Sequence, residues 1–206
     1  MADNPDLDRW NARFSGDEYL FGTEPNAFLA SQSRLLRQGQ KALSIADGEG
    51  RNGVWLARQG LQVTSVDFSP VAVAKARRLA IRHGVELTFE CADLARWEWG
   101  TSRFDVVVAI FIQFAAPALR ELIFRRMREA LRPGGLVLLQ GYRPEQLVYK
   151  TGGPSKMENL YTARLLQEAF GDLEILHLAG YDASVAEGSG HSGMSALIDL
   201  VARKSV

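Results

Sequence analysis

The sequence predicts a three-layer α/β sandwich built on a mostly parallel sheet. Three observations carry that expectation. Short apolar runs alternate with amphipathic, helix-like segments along most of the chain. The run Phe104 to Ile110 is continuously apolar after Asp105, as a central strand covered on both faces should be. Two strand candidates close the chain with no helix between them, which predicts one antiparallel strand near the C-terminus of a seven-stranded sheet. A chain of 206 residues is most simply one domain with a sizeable core.

Residues 1–40 precede the first strand and read as a helical lid segment; residues 41–206 read as the sheet-bearing core. A short helix is expected from Asp8 to Phe14. An aromatic, turn-rich loop follows to Asn26, then a helix from about Asn26 to Arg37. Trp10, Phe14, Tyr19 and Phe21 are a heavy aromatic load for such a segment. They either cap the sheet core or close over a ligand. Strand one is Lys41 to Ala46, with a helix from Arg51 to Gln59 and Gly60 as its cap. Strand two is Leu61 to Val66. Ser69-Pro70 then starts a helix, Val71 to His83, which ends at Gly84. His83 there reads as a residue interacting with the helix dipole. Strand three is Val85 to Glu90 and strand four Phe104 to Ile110. A helix from Pro117 to Leu131 leads to strand five, Leu136 to Gln140. A Gly- and Pro-rich loop, Arg143 to Lys156, precedes a helix from Thr162 to Phe170. The last strands, Leu173 to Ala179 and Ala196 to Arg203, flank a loop containing Glu187 to Gly193.

Composition narrows the function. Lys plus Arg and Asp plus Glu both number 24, so the balance gives no electrostatic support for nucleic acid or an anionic membrane as partner. Arg125, Arg126 and Arg128 read as the solvated face of a helix. The longest apolar run is too short to span a bilayer. The opening residues are acidic and polar, unlike a signal peptide. One cysteine, Cys91, fits a reducing cytoplasm and reads as a small core thiol at a strand end. Three histidines and one cysteine, all scattered, form no metal-ligand pattern. Trp97 and Trp99 read as packing residues over the sheet edge, and His177 as structural.

The informative stretch is Ala42 to Ala57. An apolar strand turns through Asp47-Gly48-Glu49-Gly50 into a helix carrying Val54, Trp55 and Leu56. Glycines let backbone approach a ligand closely, and the helix start offers free N–H groups. The second strand ends on Asp67, a carboxylate placed to accept from ribose hydroxyls. Gly48, Gly50 and Gly53 also satisfy the dinucleotide pattern G-x-G-x-x-G, so an NAD(P)-dependent oxidoreductase is a rival.

Later landmarks separate the two. Leu131-Arg-Pro-Gly-Gly135 immediately before strand five, and Asp93 after strand three, resemble class I S-adenosylmethionine-dependent methyltransferases, with their Rossmann-like core. The Gly48 to Asn52 turn, Tyr19 to Asn26 and Thr151 to Pro154 resemble small bacterial members related to the tellurite-resistance and thiopurine enzymes. The resemblance implies S-adenosylmethionine as cofactor and S-adenosylhomocysteine as product; no metal is expected, since the histidines and the cysteine are scattered. It implies that Ala46, Asp47, Gly48, Glu49 and Gly50 pass beneath the methionine part. Arg51 or Asn52 would fix that turn or the methionine carboxylate. Asp67 would hold the ribose, Phe68 the adenine face, and Asp93 the adenine amino group beside Leu94. Ala109, Ile110 and Phe111 would line the other side. One departure stands out: the acidic residue that the family places on strand one is replaced by Ser44 and Ala46.

A small-molecule acceptor is expected, a thiol or a metalloid oxyanion among the options, with a monomer or homodimer both open. A non-catalytic binding module is the third reading. Acceptor-side candidates lie at the C-terminal ends of the strands: Gln113, Phe114, Tyr142, Arg143, Tyr149, Glu187 and His191, with Trp10 and Tyr19 from the lid. His191 is the leading candidate base, since its side chain titrates near neutral pH. Tyr142 is the second catalytic candidate, as an orienting group.

Overall fold

The computed structural model describes residues 5–206. The N-terminal segment carries α1 (Pro5–Phe14), α2 (Ala27–Ser31) and a 3-10 turn (Ser33–Leu35). The core then runs β1 (Lys41–Ile45), α3 (Arg51–Arg58), β2 (Gln62–Asp67), α4 (Pro70–His83), β3 (Thr88–Cys91), β4 (Phe104–Ile110), α5 (Pro117–Ala130) and β5 (Leu131–Tyr142). It closes with α6 (Gln146–Tyr149), a second 3-10 turn (Met157–Asn159), α7 (Ala163–Phe170), β6 (Glu174–Glu187) and β7 (His191–Arg203). The strands form one seven-stranded sheet in the order β3-β2-β1-β4-β5-β7-β6. β7 runs antiparallel to both neighbours; the other pairings are parallel.

Alternation on β4 shows why the sheet is covered twice. Val106 and Val108 pack with Phe28, Leu29 and Leu56 from α2 and α3. Val107 and Ala109 pack with Ile123, Phe124, Met127 and Phe170 from α5 and α7. Successive side chains of a strand point to opposite faces, so a continuously apolar strand needs an apolar layer on each. The helix starts follow local chemistry. Ser69 Oγ accepts from Ala72 N at 3.1 Å, with Pro70 in the first turn of α4. Gly84 ends α4 in the left-handed region, with φ +63°.

Several boundaries differ from the sequence expectation. The closing strands are not a pair flanking a wide loop. They are a long hairpin turning at Gly188 to Gly190, because residues 182–187 pair directly with 191–196. Pairing along both strands overrides the weak β propensity of that Gly- and Ser-rich stretch. The hairpin outruns β5, whose last partner pair is Tyr142 with Leu197, so its tip projects beyond the sheet. The helix expected to reach Arg37 stops at Ser31 and continues only as the 3-10 turn. The turn Leu131 to Gly135 joins the strand itself, as an irregular start with a register shift opposite β4. Within the expected 143–156 loop, α6 forms. Cys91 sits at a strand end as expected, but it is exposed rather than in the core. Trp99 is buried and packs edge-on against Trp97 at 5.3 Å.

Candidate functional site

A cavity of about 240 Å³ opens at the C-terminal ends of the parallel strands. Its base is Ala46, Asp47 and Gly48 after β1, with Arg51 and Asn52 opening α3. Asp67 and Phe68 come from the end of β2; Ala92, Asp93 and Leu94 follow β3. Ile110, Phe111 and Phe114 follow β4, with Leu119 from α5. Asp6, Arg9, Trp10 and Phe14 of α1, then Phe21 and His191, complete the wall. Ala46 and Phe111 hold left-handed backbone, φ +45° and +54°, although neither is glycine. Such conformers cost on the order of 1 kcal/mol or more and cluster at functional sites.

Two carboxylates shape the turn. Asp67 is buried; its Oδ2 accepts from Gly48 N and its Oδ1 from Ser69 N, both at 2.9 Å. Burial pushes its carboxyl above the ordinary range, and those backbone donors oppose the shift. Asp47 accepts from Ser44 Oγ at 2.7 Å, Ser65 Oγ at 2.7 Å and Gly53 N at 3.1 Å. Ser44 and Ser65 are register partners on β1 and β2. The turn's carboxylate is therefore sealed by this serine pair, and its burial pushes it up to about 6. Beside it, Gly53 has no room for a Cβ, which would meet Asp47 Oδ2.

The N-terminal segment is strapped across the turn. Lys75, buried on α4, pairs with Glu49 and donates to the carbonyls of Gly16 at 2.8 Å and Glu18 at 2.6 Å. Glu49 Oε2 accepts from Leu20 N at 2.7 Å. The hairpin tip docks on the same strap through Gly190 N, which donates to Leu20 O at 2.9 Å. Asn26 ties it further: its N–H donates to Asn52 Oδ1 at 2.9 Å and its Nδ2 to Gln140 Oε1 at 2.7 Å.

Under the hairpin tip, Arg51 Nη2 pairs with Glu187 Oε2 at 2.7 Å, both side chains nearly buried. Glu187 Oε1 accepts from Asn26 Nδ2 at 3.0 Å and Ala27 N at 3.1 Å. Burial alone would raise this carboxyl; facing His191 and the Arg51 guanidinium outweigh burial and hold it at about 2. His191 is buried between Phe21 and Phe111, with ring centroids at 4.4 and 4.3 Å. Its Nδ1 lies 3.9 Å from Glu187 Oε2 and has no hydrogen-bond partner among the described residues; nor has Arg51 Nη1. Burial lowers the imidazole below its ordinary value, so it is neutral at pH 7.

Other expected residues are placed elsewhere. Glu49 and Gly50 serve the scaffold. Glu49 ties down the strap, and a Cβ on Gly50 would stand 2.6 Å from Ala76 Cβ, where α3 meets α4. Ala109 is sealed in the core beneath the cavity. Gln113 clamps β5, its Nε2 donating to Tyr142 O at 2.8 Å while its Oε1 accepts from Tyr142 N at 2.6 Å. Tyr142 stacks on the far side of Phe111 at 4.6 Å and is almost fully buried, its hydroxyl pushed up first by that burial. A hydroxyl held protonated there, behind Phe111, does not reach the cavity. Arg143 and Tyr149 both bind Asp182 on the outer face of the hairpin. Tyr19 donates to Lys75 O at 2.9 Å, away from the cavity. Glu187 stands one residue back, behind Arg51 and His191. Sequence reasoning missed Asp6, Arg9, Ala92 and Leu119, and it missed Lys75. The signal for Lys75 was present: it shares the buried stripe of α4 with Ala72, Ala76 and Leu79.

Among the described residues, no group of three or more His, Cys, Asp or Glu is arranged to hold a metal, and no helix is long and apolar enough to cross a membrane.

Residues 42–135 match the family described as a methyltransferase domain. Phosphoethanolamine N-methyltransferase 3 of Arabidopsis thaliana is 33% identical over 112 residues, covering 52% of this chain and 22% of that protein. The next two curated relatives are covered over 41% and 56% of their own length, so the chain spans only part of each. Among solved structures, the N-methyltransferase NodS of Bradyrhizobium japonicum, in complex with S-adenosylhomocysteine, aligns with TM-score 0.74 at 13% identity, covering 98% of this chain and 99% of that one. TehB of Haemophilus influenzae aligns with TM-score 0.71 at 17% identity, covering 97% of this chain and 67% of that one. The chain thus has the Rossmann-like fold of class I methyltransferases almost end to end, and residues 42–135 match a methyltransferase domain in sequence.

Proposed function

We propose that this single domain is an S-adenosylmethionine-dependent methyltransferase acting on a small-molecule acceptor. The observation that carries the reading is the cavity itself. It sets Asp67, Asp93 and Arg51 around apolar walls at the strand ends. Those groups suit a ribose, an adenine amino group and an amino-acid carboxylate respectively. Phe68 and Leu94 suit the flat adenine. Bound there, the cofactor's sulfonium supplies an electrophilic methyl group.

The protein's own contribution is position, dryness and a proton acceptor. Trp10, Phe14 and Phe21 on the strap, with Phe111 and Phe114, exclude water from the acceptor end. His191, neutral at pH 7 and on the cavity wall, is our candidate to take a proton from a thiol or hydroxyl acceptor. Thiols head the acceptor screen, with metalloid oxyanions second because they need no base. We assign no metal to the reaction, and a cytoplasmic monomer or homodimer is the working form.

The test is calorimetric titration with S-adenosylhomocysteine, with NADH in parallel. Binding of the first alone is expected. Asp67→Ala should weaken it by roughly 10- to 100-fold, since hydrogen bonds to a charged group are worth about 1.5–3 kcal/mol. NADH binding in place of S-adenosylhomocysteine would overturn the proposal in favour of an oxidoreductase.

A further inference from the structure

Three groups under the hairpin tip form a chain with both ends open. Arg51 lines the cavity, spends Nη2 on Glu187, and leaves Nη1 buried without a partner among the described residues. Glu187 divides its charge between Arg51 at 2.7 Å and His191, 3.9 Å away. His191 also lines the cavity, and its Nδ1 is buried with no hydrogen-bond partner among the described residues. The Glu187–His191 gap is wider than a hydrogen bond but needs only about 1 Å of movement to close. The remaining anchors hold Glu187 by its other oxygen, Oε1, through Asn26 and Ala27. Oε2 is therefore the oxygen free to shift.

We propose that Glu187 is a positioning residue that links Arg51 to His191. A ligand carboxylate on Arg51 Nη1 weakens the hold of Arg51 on Oε2, and Oε2 closes onto the Nδ1–H of His191. That bond fixes the ring and leaves the lone pair on its other nitrogen, the one that accepts a proton. The base is thus set only when the amino-acid end of the cofactor is in place. This inference rests on the cofactor reading above. It assigns a role to a residue that is not on the cavity wall.

Charge bookkeeping gives the direction. The groups facing His191 are Glu187 on β6, Arg51 on α3, Arg13 on α1 and Tyr142 on β5. In the free protein the two arginines disfavour a proton on the ring and Glu187 favours it. A carboxylate on Arg51 neutralises the nearer arginine and frees Glu187. Both changes act the same way, so binding takes up protons in the imidazole range.

The experiment measures proton uptake by calorimetry in buffers of different ionisation enthalpy, between about pH 5.5 and 7.5, around the ordinary imidazole pKa. The two probes are S-adenosylhomocysteine and 5′-methylthioadenosine, which keeps the nucleoside and lacks the amino-acid tail. S-adenosylhomocysteine should take up a fraction of a proton more than 5′-methylthioadenosine. Its affinity should then rise as pH falls, by less than about tenfold per pH unit, the slope that a whole proton would give. Glu187→Gln should remove most of the difference, and His191→Asn all of it; the latter carries the test if the Glu187 variant does not fold. Equal uptake by both probes, or an unchanged difference in His191→Asn, overturns this inference and leaves the cofactor reading intact. Failure of both probes to bind overturns the cofactor reading, and this inference with it.

Discussion

Asp47→Asn isolates the cost of ionising a buried carboxylate at the turn. Among the described residues, the side chain of Asp47 has two serine hydroxyls and one backbone N–H as partners, and no cation pairs with it. Burial raises it from an ordinary 3.8 to about 6, against the hydrogen bonds and helped by nearby Asp67. The folded state therefore holds this proton more tightly than the unfolded chain. For an acid, that makes stability fall as pH rises from about 4 to about 6, by roughly 3 kcal/mol in all. The full cost is present at pH 7 and absent below pH 4. Asparagine keeps an oxygen for Ser44 and Gly53 and carries no charge. The assay is urea unfolding of both proteins at intervals from pH 4 to 7.5. The difference between them cancels groups elsewhere in the chain. The variant should gain on the wild type by about 3 kcal/mol across that interval. A difference that stays flat with pH would refute the assignment of a buried, unpaired charge to this turn.

Two further substitutions test the strap. Lys75→Met leaves Glu49 buried without its cation; a loss of about 3–5 kcal/mol in unfolding free energy is expected at pH 7, and a loss under about 1 kcal/mol would mean that the pair is dispensable. Gly188→Ala places a Cβ in a left-handed turn, φ +69°, within 2.5 Å of Gly22 N and Leu20 O. The strain and overpacking together should cost roughly 2–4 kcal/mol and lift the hairpin tip from the strap. Limited proteolysis within residues 15–25 should speed up; unchanged protection would show that the tip does not hold the strap down.

The architecture was legible because it rests on local periodicity. The apolar run of β4, the Ser69-Pro70 start of α4 and the glycine turn after β1 each carry their own cause. Ala46, Gly48, Arg51, Asn52, Asp67, Phe68, Asp93, Leu94, Ile110 and Phe111, which the family resemblance implied as cofactor neighbours, do line the cavity, where a parallel sheet gathers its strand ends at one edge. Which side of a strand end a residue takes was not legible. Gln113 and Tyr142 lie in the expected places in the chain, yet they turn into the β5 clamp and behind Phe111. Ser44 and Ala46 read as a departure from the family pattern. The structure shows Ser44 and Ser65 sealing the carboxylate one position further on, a pairing that only the β1–β2 register creates.

By itself, the sequence determined the layers, the mostly parallel sheet implied by strand–helix alternation, and the glycine turn opposite Asp67. These depend on periods of two and 3.6 residues and on turn chemistry, which act over short range. Tertiary structure alone decided the contacts across long stretches of chain. It turned a Gly-rich segment into a hairpin, docked that hairpin on the N-terminal strap, and brought Arg51, Glu187 and His191 together across some 136 residues. No local pattern encodes such a meeting, because its stability comes from burying partners that are neighbours only once the sheet has formed.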